Sequence, residues 1–303
     1  MYNSWMFRSA FLSSLAFLTG LACAFNAVAA PVDIDTAAQL YQAAEIREQV
    51  RASLGSMPAH VRKLFQGNTS TPLSETQLAA VDVAAVRAFR LDVFEAPALS
   101  AFAAKLDTDT VKKAEAFLAT DVGKRWVAAD VGLASLSDAD ADKVMNGDMA
   151  TASTPQRDAL FDKLERAERS AESTVQILLT MGTAVAMGTA VGSGIDPGPV
   201  EQRTRKSADA SRQAWEDNMR EPMRRYMAYG YRDLSDADLK HLLSFLQSAA
   251  GKQYVSAYLA SLGAGFYAMG RRCGEQLGES LRELAMAQLA TESLEHHPAS
   301  PRK

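Results

Sequence analysis

The chain has 303 residues, of which 48% are hydrophobic and 22% charged, and its formal net charge at pH 7 is −4. A mildly acidic chain lacks the clustered lysine and arginine that a nucleic-acid-binding protein needs to contact phosphates. The length suffices for one large domain or two small ones. The bulk composition therefore predicts a globular protein without a nucleic-acid partner.

The first 29 residues have the pattern of a secretory signal peptide. Arg8 supplies a positive charge, residues 10–25 form an uncharged apolar run, and Ala27-Val28-Ala29 is a small-x-small cleavage site. We therefore expect cleavage after Ala29 and a location outside the cytoplasm. The mature chain would keep one cysteine, Cys273, and could form no internal disulfide, so its stability would come from burial of a core.

Helix signals run through the rest of the chain, and strand signals are nearly absent. Ser74 is followed three residues later by Gln77, the spacing of a capping box at a helix start. Thr154-Pro155 combines an N-cap residue with proline at the first helical position, and apolar residues follow at steps of three and four. The sequence predicts an all-α protein.

One segment of the chain occurs twice, 128 residues apart. Residues 106–130 and 234–258 align without a gap and share eight identical residues in 25. An internal repeat fixes architecture before activity. We therefore predict two related helical units that pack together, and we call the two aligned segments the first and second copy.

Within each copy the residues predict the end of one helix and the start of another. Ser235 and Asp238 form a capping box, and Ser248 is placed to accept from the N–H of Gly251. Glycine is a poor helix former, so its presence in both copies predicts that another helix crosses closely there. The predicted structural motif comprises Phe117, Thr120, Gly123 and Trp126 in the first copy, and Phe245, Ser248, Gly251 and Tyr254 in the second.

The predicted boundaries follow from the repeat and from turn-rich segments. We expect a signal peptide at 1–29, a first helical unit at 30–135, a linker at 136–153, a second unit at 154–288 and a disordered tail at 289–303. Asp138, Asp140 and Asp142 alternate as in a calcium loop, but the glycine and glutamate that such a loop requires are missing. The letters 136–140 repeat those of 234–238, which indicates a helix start.

Residues 173–195 carry no charge and are long enough to span a bilayer. Glycine, threonine and serine are frequent among them, which weakens the case for insertion, and small residues also allow close packing in a soluble core. We predict an internal helix here, with membrane association as the less favoured alternative.

The second copy and the residues before it resemble the DUF2059 family. The matching residues run from Tyr229-Gly230-Tyr231, through the helix start at 234–239, to Phe245-Leu246-x-Ser248-x-x-Gly251-Lys252. Leu246 stands where the family has a second aromatic residue, and Ala249 where it has proline. Members are secreted, helical bacterial envelope proteins of unknown function. The resemblance implies a helical periplasmic protein and implies no mechanism.

No local pattern for catalysis, metal binding or cofactor binding stands out in the sequence. The best binding candidates are tyrosines, whose rings combine an apolar body with a polar tip; they are Tyr226, Tyr229, Tyr231, Tyr254, Tyr258 and Tyr267, with Arg224 and Arg225 for an anion. Core packing is the alternative role for them. We expect a non-catalytic binding or envelope-maintenance protein with an unknown protein or small-molecule partner. The alternatives are a hydrolase-type enzyme without a local signature and a protein anchored in the membrane by 173–195.

Overall fold

A computed structural model describes residues 32–66, 72–149 and 153–296, and within these ranges it contains helices and turns but no strand. The all-α prediction is confirmed, while the predicted signal peptide lies outside the described residues. The helices are α1 (Ile34–Ala43), α2 (Ile46–Leu54), α3 (Met57–Gln66), α4 (Glu75–Ala88), α5 (Leu91–Ala103), α6 (Thr108–Leu118), α7 (Asp121–Ala134), α8 (Asp138–Asn146), α9 (Pro155–Glu168), α10 (Ser170–Gly192), α11 (Pro197–Gly230), α12 (Asp236–Gln247) and α13 (Ala249–His296).

Helix starts are set by the polar residues that the sequence singles out. Ser74 and Gln77 form a reciprocal capping box at α4, and Ser235 and Asp238 form another at α12. Thr154 caps α9, whose first residue is proline. Each side chain satisfies N–H groups that have no partner inside the first helical turn. The predicted helix starts are therefore confirmed at these positions.

The two copies use the same device to begin α7 and α13. The Thr120 hydroxyl accepts from the N–H of Gly123, and the Ser248 hydroxyl accepts from the N–H of Gly251, both at 3.0 Å. A Cβ on either glycine would collide with the backbone at the end of the preceding helix, α6 or α12. Close approach was predicted correctly, but the neighbour is the end of the helix immediately before and not a separate crossing helix.

Contacts between the copies come in pairs, in which a residue of one copy is replaced by the residue 128 positions away in the other. The Thr110 hydroxyl donates to Oε1 of Gln253 at 2.9 Å, and the equivalent positions, Asp238 and Arg125, form an ion pair at 2.8 Å. The rings of the equivalent residues Phe117 and Phe245 stack at 4.1 Å, and those of Trp126 and Tyr254 meet edge to face at 6.3 Å. The two copies therefore contact each other through equivalent positions.

A further likeness lies outside the copies. The α1–α2 and α9–α10 junctions each place a non-glycine residue, Glu45 or Arg169, in the left-handed backbone region, with φ of 50° and 58°. α1 packs on α5 and α6, as α9 packs on α11 and α12. These features support the prediction that the whole chain consists of two related units, which stays a prediction.

Two predicted boundaries need correction. Residues 138–146 of the predicted linker form α8, which packs on α11 and has Val144 as its buried residue. The helix-start signal at 136–140 therefore determines the structure of this segment, in spite of the turn residues that follow it. α13 also continues to His296, so the predicted tail begins as helix. Both hydrophobic cores of the described chain mix residues from the two predicted units.

The uncharged segment belongs mainly to α10, which packs against α11 and most extensively against α13. A Cβ on Gly188 or Gly192 would meet the backbone of α13, and one on Gly274 or Gly278 would meet the backbone of α10. Small residues thus bring the two backbones into contact, as predicted. The helix is not fully enclosed: the segment Pro155–Gly192 is long and apolar enough to span a membrane, and 44% of its most apolar window is buried in the protein.

Candidate functional site

A cavity of about 380 Å³ lies between the facing copies. Its walls come from α2, α7, α10, α11 and α13, together with the end of α9, Ala44 at the end of α1 and Met57 of α3. Most lining side chains are aliphatic or aromatic, and the polar ones are few: Gln49, Ser53, Asp130, Glu168, Ser170, Ser173 and Thr174, with the hydroxyls of four tyrosines. An apolar cavity with a few converging polar groups is the usual form of a small-molecule site.

Two carboxyl groups meet at one tyrosine hydroxyl in this cavity. The Tyr231 hydroxyl lies 2.8 Å from Oδ1 of Asp130 and 3.2 Å from Oε1 of Glu168. Nε1 of Trp126 donates to the same hydroxyl at 3.0 Å. Because the hydroxyl carries a single proton, it donates to only one of the two carboxyls at a time. Trp126 and Tyr231 are buried, so the cluster is held by packed rings.

The electrostatic environment disfavours ionisation of both carboxyls. No lysine, arginine or histidine lines the cavity in the part of the chain that the structure describes. Burial raises the pKa of Asp130 to about 7, although the hydrogen bond from Tyr231 opposes the shift. Burial, and next the charge of Asp130, raise the pKa of Glu168 well above its ordinary value. Like charges in a poorly solvated site favour retention of a proton by the pair.

Four of the tyrosines singled out from the sequence come together in the cavity: Tyr226, Tyr231, Tyr254 and Tyr258. The hydroxyl of Tyr226 donates to the carbonyl of Leu133 at 2.6 Å, and that of Tyr258 donates to Oε1 of Gln49 at 2.8 Å. Burial raises the pKa of Tyr226 to about 12. These tyrosines are therefore neutral groups that shape the walls and position polar neighbours.

The remaining candidates lie elsewhere. Tyr229 lines a separate pocket on the other side of α7, with the guanidinium of Arg232 over its ring at 4.4 Å. Arg224 pairs with Glu221 at 2.7 Å, and Arg225 pairs with the same carboxylate at 2.9 Å. Both guanidinium groups already have acidic partners and neither lines the cavity, so the structure does not bring them to the tyrosines.

Tyr267 also lies apart from the main cavity. It lines a small pocket between α10 and α11 and exposes 37% of its surface. Phe117, Phe245 and Trp126 form the aromatic contact between the copies, and Trp126 and Tyr254 also reach the cavity wall. The predicted structural motif therefore borders the predicted binding residues.

The sequence interpretation missed Asp130 and Glu168, the groups that give the cavity its chemistry. A signal for Asp130 was present in the sequence. Asp130 lies at helical spacing from Trp126, Val127 and Leu133, which form the buried face of α7. Glu168 likewise ends the buried face of α9 that contains Phe161 and Leu164. A carboxylate on an apolar stripe without a basic partner is the pattern that marks such a site.

The arrangement can hold a small molecule, and its carboxyls can accept hydrogen bonds or exchange a proton. No cluster of three or more potential metal ligands occurs among the residues searched, which are those that the structure describes. No protein-family model, curated protein or solved structure matches the chain. Function must therefore be argued from the cavity itself, and membership of the DUF2059 family stays a prediction.

Proposed function

We propose that this protein is a secreted envelope protein that binds a small, mainly apolar molecule in the cavity between its two copies. The observation that carries the proposal is the cavity of about 380 Å³ with apolar walls and one polar cluster. Burial of a ligand's apolar surface would supply the binding energy, and the polar cluster would orient the ligand. The proposal needs no catalytic step.

The location of the protein in the periplasm is part of the proposal. It is supported by the signal-peptide pattern of residues 1–29 and by the resemblance of the second copy to secreted helical proteins. N-terminal sequencing of protein from a periplasmic fraction should find Ala30 as the first residue. An intact Met1 in the isolated protein would contradict export through a cleaved signal.

Binding can be tested with N-phenyl-1-naphthylamine, an apolar dye whose fluorescence rises in apolar surroundings. Ser173 lines the cavity, so a Ser173→Trp variant should fill part of it and weaken dye binding by about tenfold or more. Ser256 is exposed on α13 and does not line the cavity, so Ser256→Trp is the matched control. Equal dye binding by both variants would place the dye outside the cavity and contradict the proposal.

A hydrolase-type enzyme is the second candidate, and the carboxyl pair favours it. Two carboxyls in one site, one protonated and one ionised, are the groups that general acid–base hydrolysis uses. The bound molecule would then be consumed. Incubation of the protein with a ligand that it binds, followed by mass spectrometry of the ligand, distinguishes the candidates: an unchanged ligand supports binding, and a cleaved one supports hydrolysis.

Membrane association through 173–195 is supported only by the apolar composition of that segment. The packing of α10 against α11 and α13 favours a helix of the soluble body, because bilayer insertion would have to replace those contacts. The chain from Ala30 should therefore be recovered without detergent and should be released from membranes by carbonate. Retention in the carbonate-washed membrane would support the anchored form instead.

A further inference from the structure

The carboxyl pair in the cavity lacks a charge partner. Asp130 and Glu168 both lie within hydrogen-bonding distance of the Tyr231 hydroxyl, Glu168 also lies 3.5 Å from the Ser170 hydroxyl, and neither carboxyl belongs to an ion pair among the described residues. A different buried acid, Glu165, which is 4% exposed, accepts from the N–H of Ala171 and pairs with Arg220. A site that places two acids in apolar surroundings, with no base, is incomplete without a proton or a cation.

None of the described wall elements supplies a compensating charge, and Ala44 and Met57 at the ends of α1 and α3 are apolar. α2 contributes Gln49 and Ser53, and α10 contributes Ser170, Ser173 and Thr174, all of which are uncharged. α11 and the residue after it contribute Tyr226 and Tyr231, and α13 contributes Tyr254 and Tyr258. α7 and α9 contribute the two acids themselves. The described walls therefore supply two acidic groups and no positive charge.

We infer that the molecule bound in this cavity is an organic cation, a protonated amine with an apolar body, whose ammonium group lies between Asp130 and Glu168. The inference rests on the proposed binding function and names its ligand class. The apolar walls would enclose the body of the ligand, while the carboxyls would accept hydrogen bonds from the ammonium N–H groups. An anionic ligand would meet only like charge.

The residues around the pair favour an organic cation over a metal ion. A calcium ion takes six to eight oxygen ligands, and magnesium requires a near-octahedral set. The described chain offers two carboxyls and one phenol at this point, followed by aliphatic and aromatic walls. Such walls suit a hydrocarbon body, and the faces of aromatic rings attract a cation.

Tyr231 acts as a positioning residue in this site. Its hydroxyl is held by the N–H of Trp126 and contacts both carboxyls, which fixes their separation before a ligand arrives. When no ligand is bound, a proton on the pair would supply the missing positive charge, consistent with the raised pKa values of Asp130 and Glu168. An ammonium group would take over that role and displace the proton to solvent.

The test compares two probes of equal chain length, octylamine, which is protonated at pH 7, and 1-octanol, which is neutral. Each is titrated against N-phenyl-1-naphthylamine bound to the mature protein. The wild-type protein should bind octylamine about tenfold or more tightly than 1-octanol. The Asp130→Asn/Glu168→Gln variant should lose this preference and still bind 1-octanol. Asp142→Asn, a change at an exposed acid on α8, is the control for net charge.

The outcomes separate the two proposals. If wild-type protein binds both probes equally, or if the double variant keeps the preference for octylamine, the cation inference is overturned while cavity binding stands. If neither probe binds and Ser173→Trp has no effect on the dye, the binding function itself is overturned. If the double variant fails to fold, the single variants Asp130→Asn and Glu168→Gln replace it. Each should reduce the preference for octylamine over 1-octanol on its own.

Discussion

Residues from 126–134 of α7 and from 254–262 of α13 line the same cavity, and four pairs of them are at equivalent positions. The offset of 128 residues maps Trp126 onto Tyr254, Val127 onto Val255, Asp130 onto Tyr258 and Ala134 onto Leu262, and all eight line the cavity. In three of these four pairs both side chains are apolar or aromatic. The fourth pair places the carboxyl of Asp130 on α7 and the phenol of Tyr258 on α13.

This comparison separates what builds the fold from what gives the cavity its chemistry. The caps and glycines at the starts of α7 and α13 are equivalent in both copies and fix the helices against their neighbours. The copies differ two helical turns after these glycines, where Asp130 of α7 and Tyr258 of α13 face the cavity. The two helix starts are equivalent, but the polar groups of the cavity are not. The second carboxyl, Glu168, precedes Arg169 at one left-handed junction, whereas Ala44 precedes Glu45 at the corresponding junction.

The largest expected effect is at the paired glycines. Gly123→Leu and Gly251→Leu should each lower the free energy of unfolding by about 1–3 kcal/mol, because the new Cβ would meet the end of the preceding helix. Gly132 and Gly263 lie farther along the same helices and have open space, so alanine there should stabilise by up to about 1 kcal/mol. Urea denaturation measures all four; unchanged stability in both leucine variants would contradict the close approach at the glycines, and a loss in only one would contradict the equivalence of the copies.

The next effect concerns the pair Asp130 and Tyr258. Because burial raises the pKa of Asp130 to about 7, the folded protein holds the proton more tightly than the unfolded chain does. Its contribution to stability is therefore fully present below about pH 4 and is lost as the pH rises to about 7. Asp130→Asn should remove this loss and be more stable than wild type by about 1–2 kcal/mol at pH 8, with a smaller difference at pH 4.

Tyr258→Phe is the matched change at the equivalent position. It removes the hydrogen bond to Gln49 but no group that ionises below pH 8, so its effect on stability should not vary between pH 4 and pH 8. Thermal unfolding at the two pH values measures both variants. A pH-independent effect of Asp130→Asn would show that this carboxyl does not change its ionisation between pH 4 and pH 8, and would contradict a raised pKa of about 7.

The smallest expected effect is at the caps. Thr120→Ala and Ser248→Ala each remove the hydroxyl that accepts from a glycine N–H, and each should cost about 1 kcal/mol of stability. Similar losses of stability in the two variants would support the equivalence of the two copies. A loss in only one copy would show that solvent satisfies the N–H of the other glycine.

Much of this fold was accessible from the sequence, because caps and apolar spacing act locally. Ser74, Thr154, Ser235 and Ser248 each mark a helix start that the structure contains. The glycines of α13 at 270, 274 and 278 have a four-residue spacing that matches Gly188 and Gly192, and this signal for the α10–α13 contact was not used.

The site was harder to predict, because its chemistry depends on long-range contacts. Asp130 and Glu168 lie on different helices and meet only through Tyr231, which comes from a third segment. The tyrosines were found by composition alone, and composition could not separate Tyr254 and Tyr258 in the cavity from Tyr229 and Tyr267 outside it.

The most direct test of the account is the number of protons released when octylamine binds at pH 7. Calorimetric titration in two buffers with different ionisation enthalpies gives this number. The account predicts net release of protons by the wild-type protein, because the ammonium group replaces the proton shared by Asp130 and Glu168, and no release by the Asp130→Asn/Glu168→Gln variant. Binding of octylamine by the wild-type protein without proton release would contradict a protonated carboxyl pair as the receiving site.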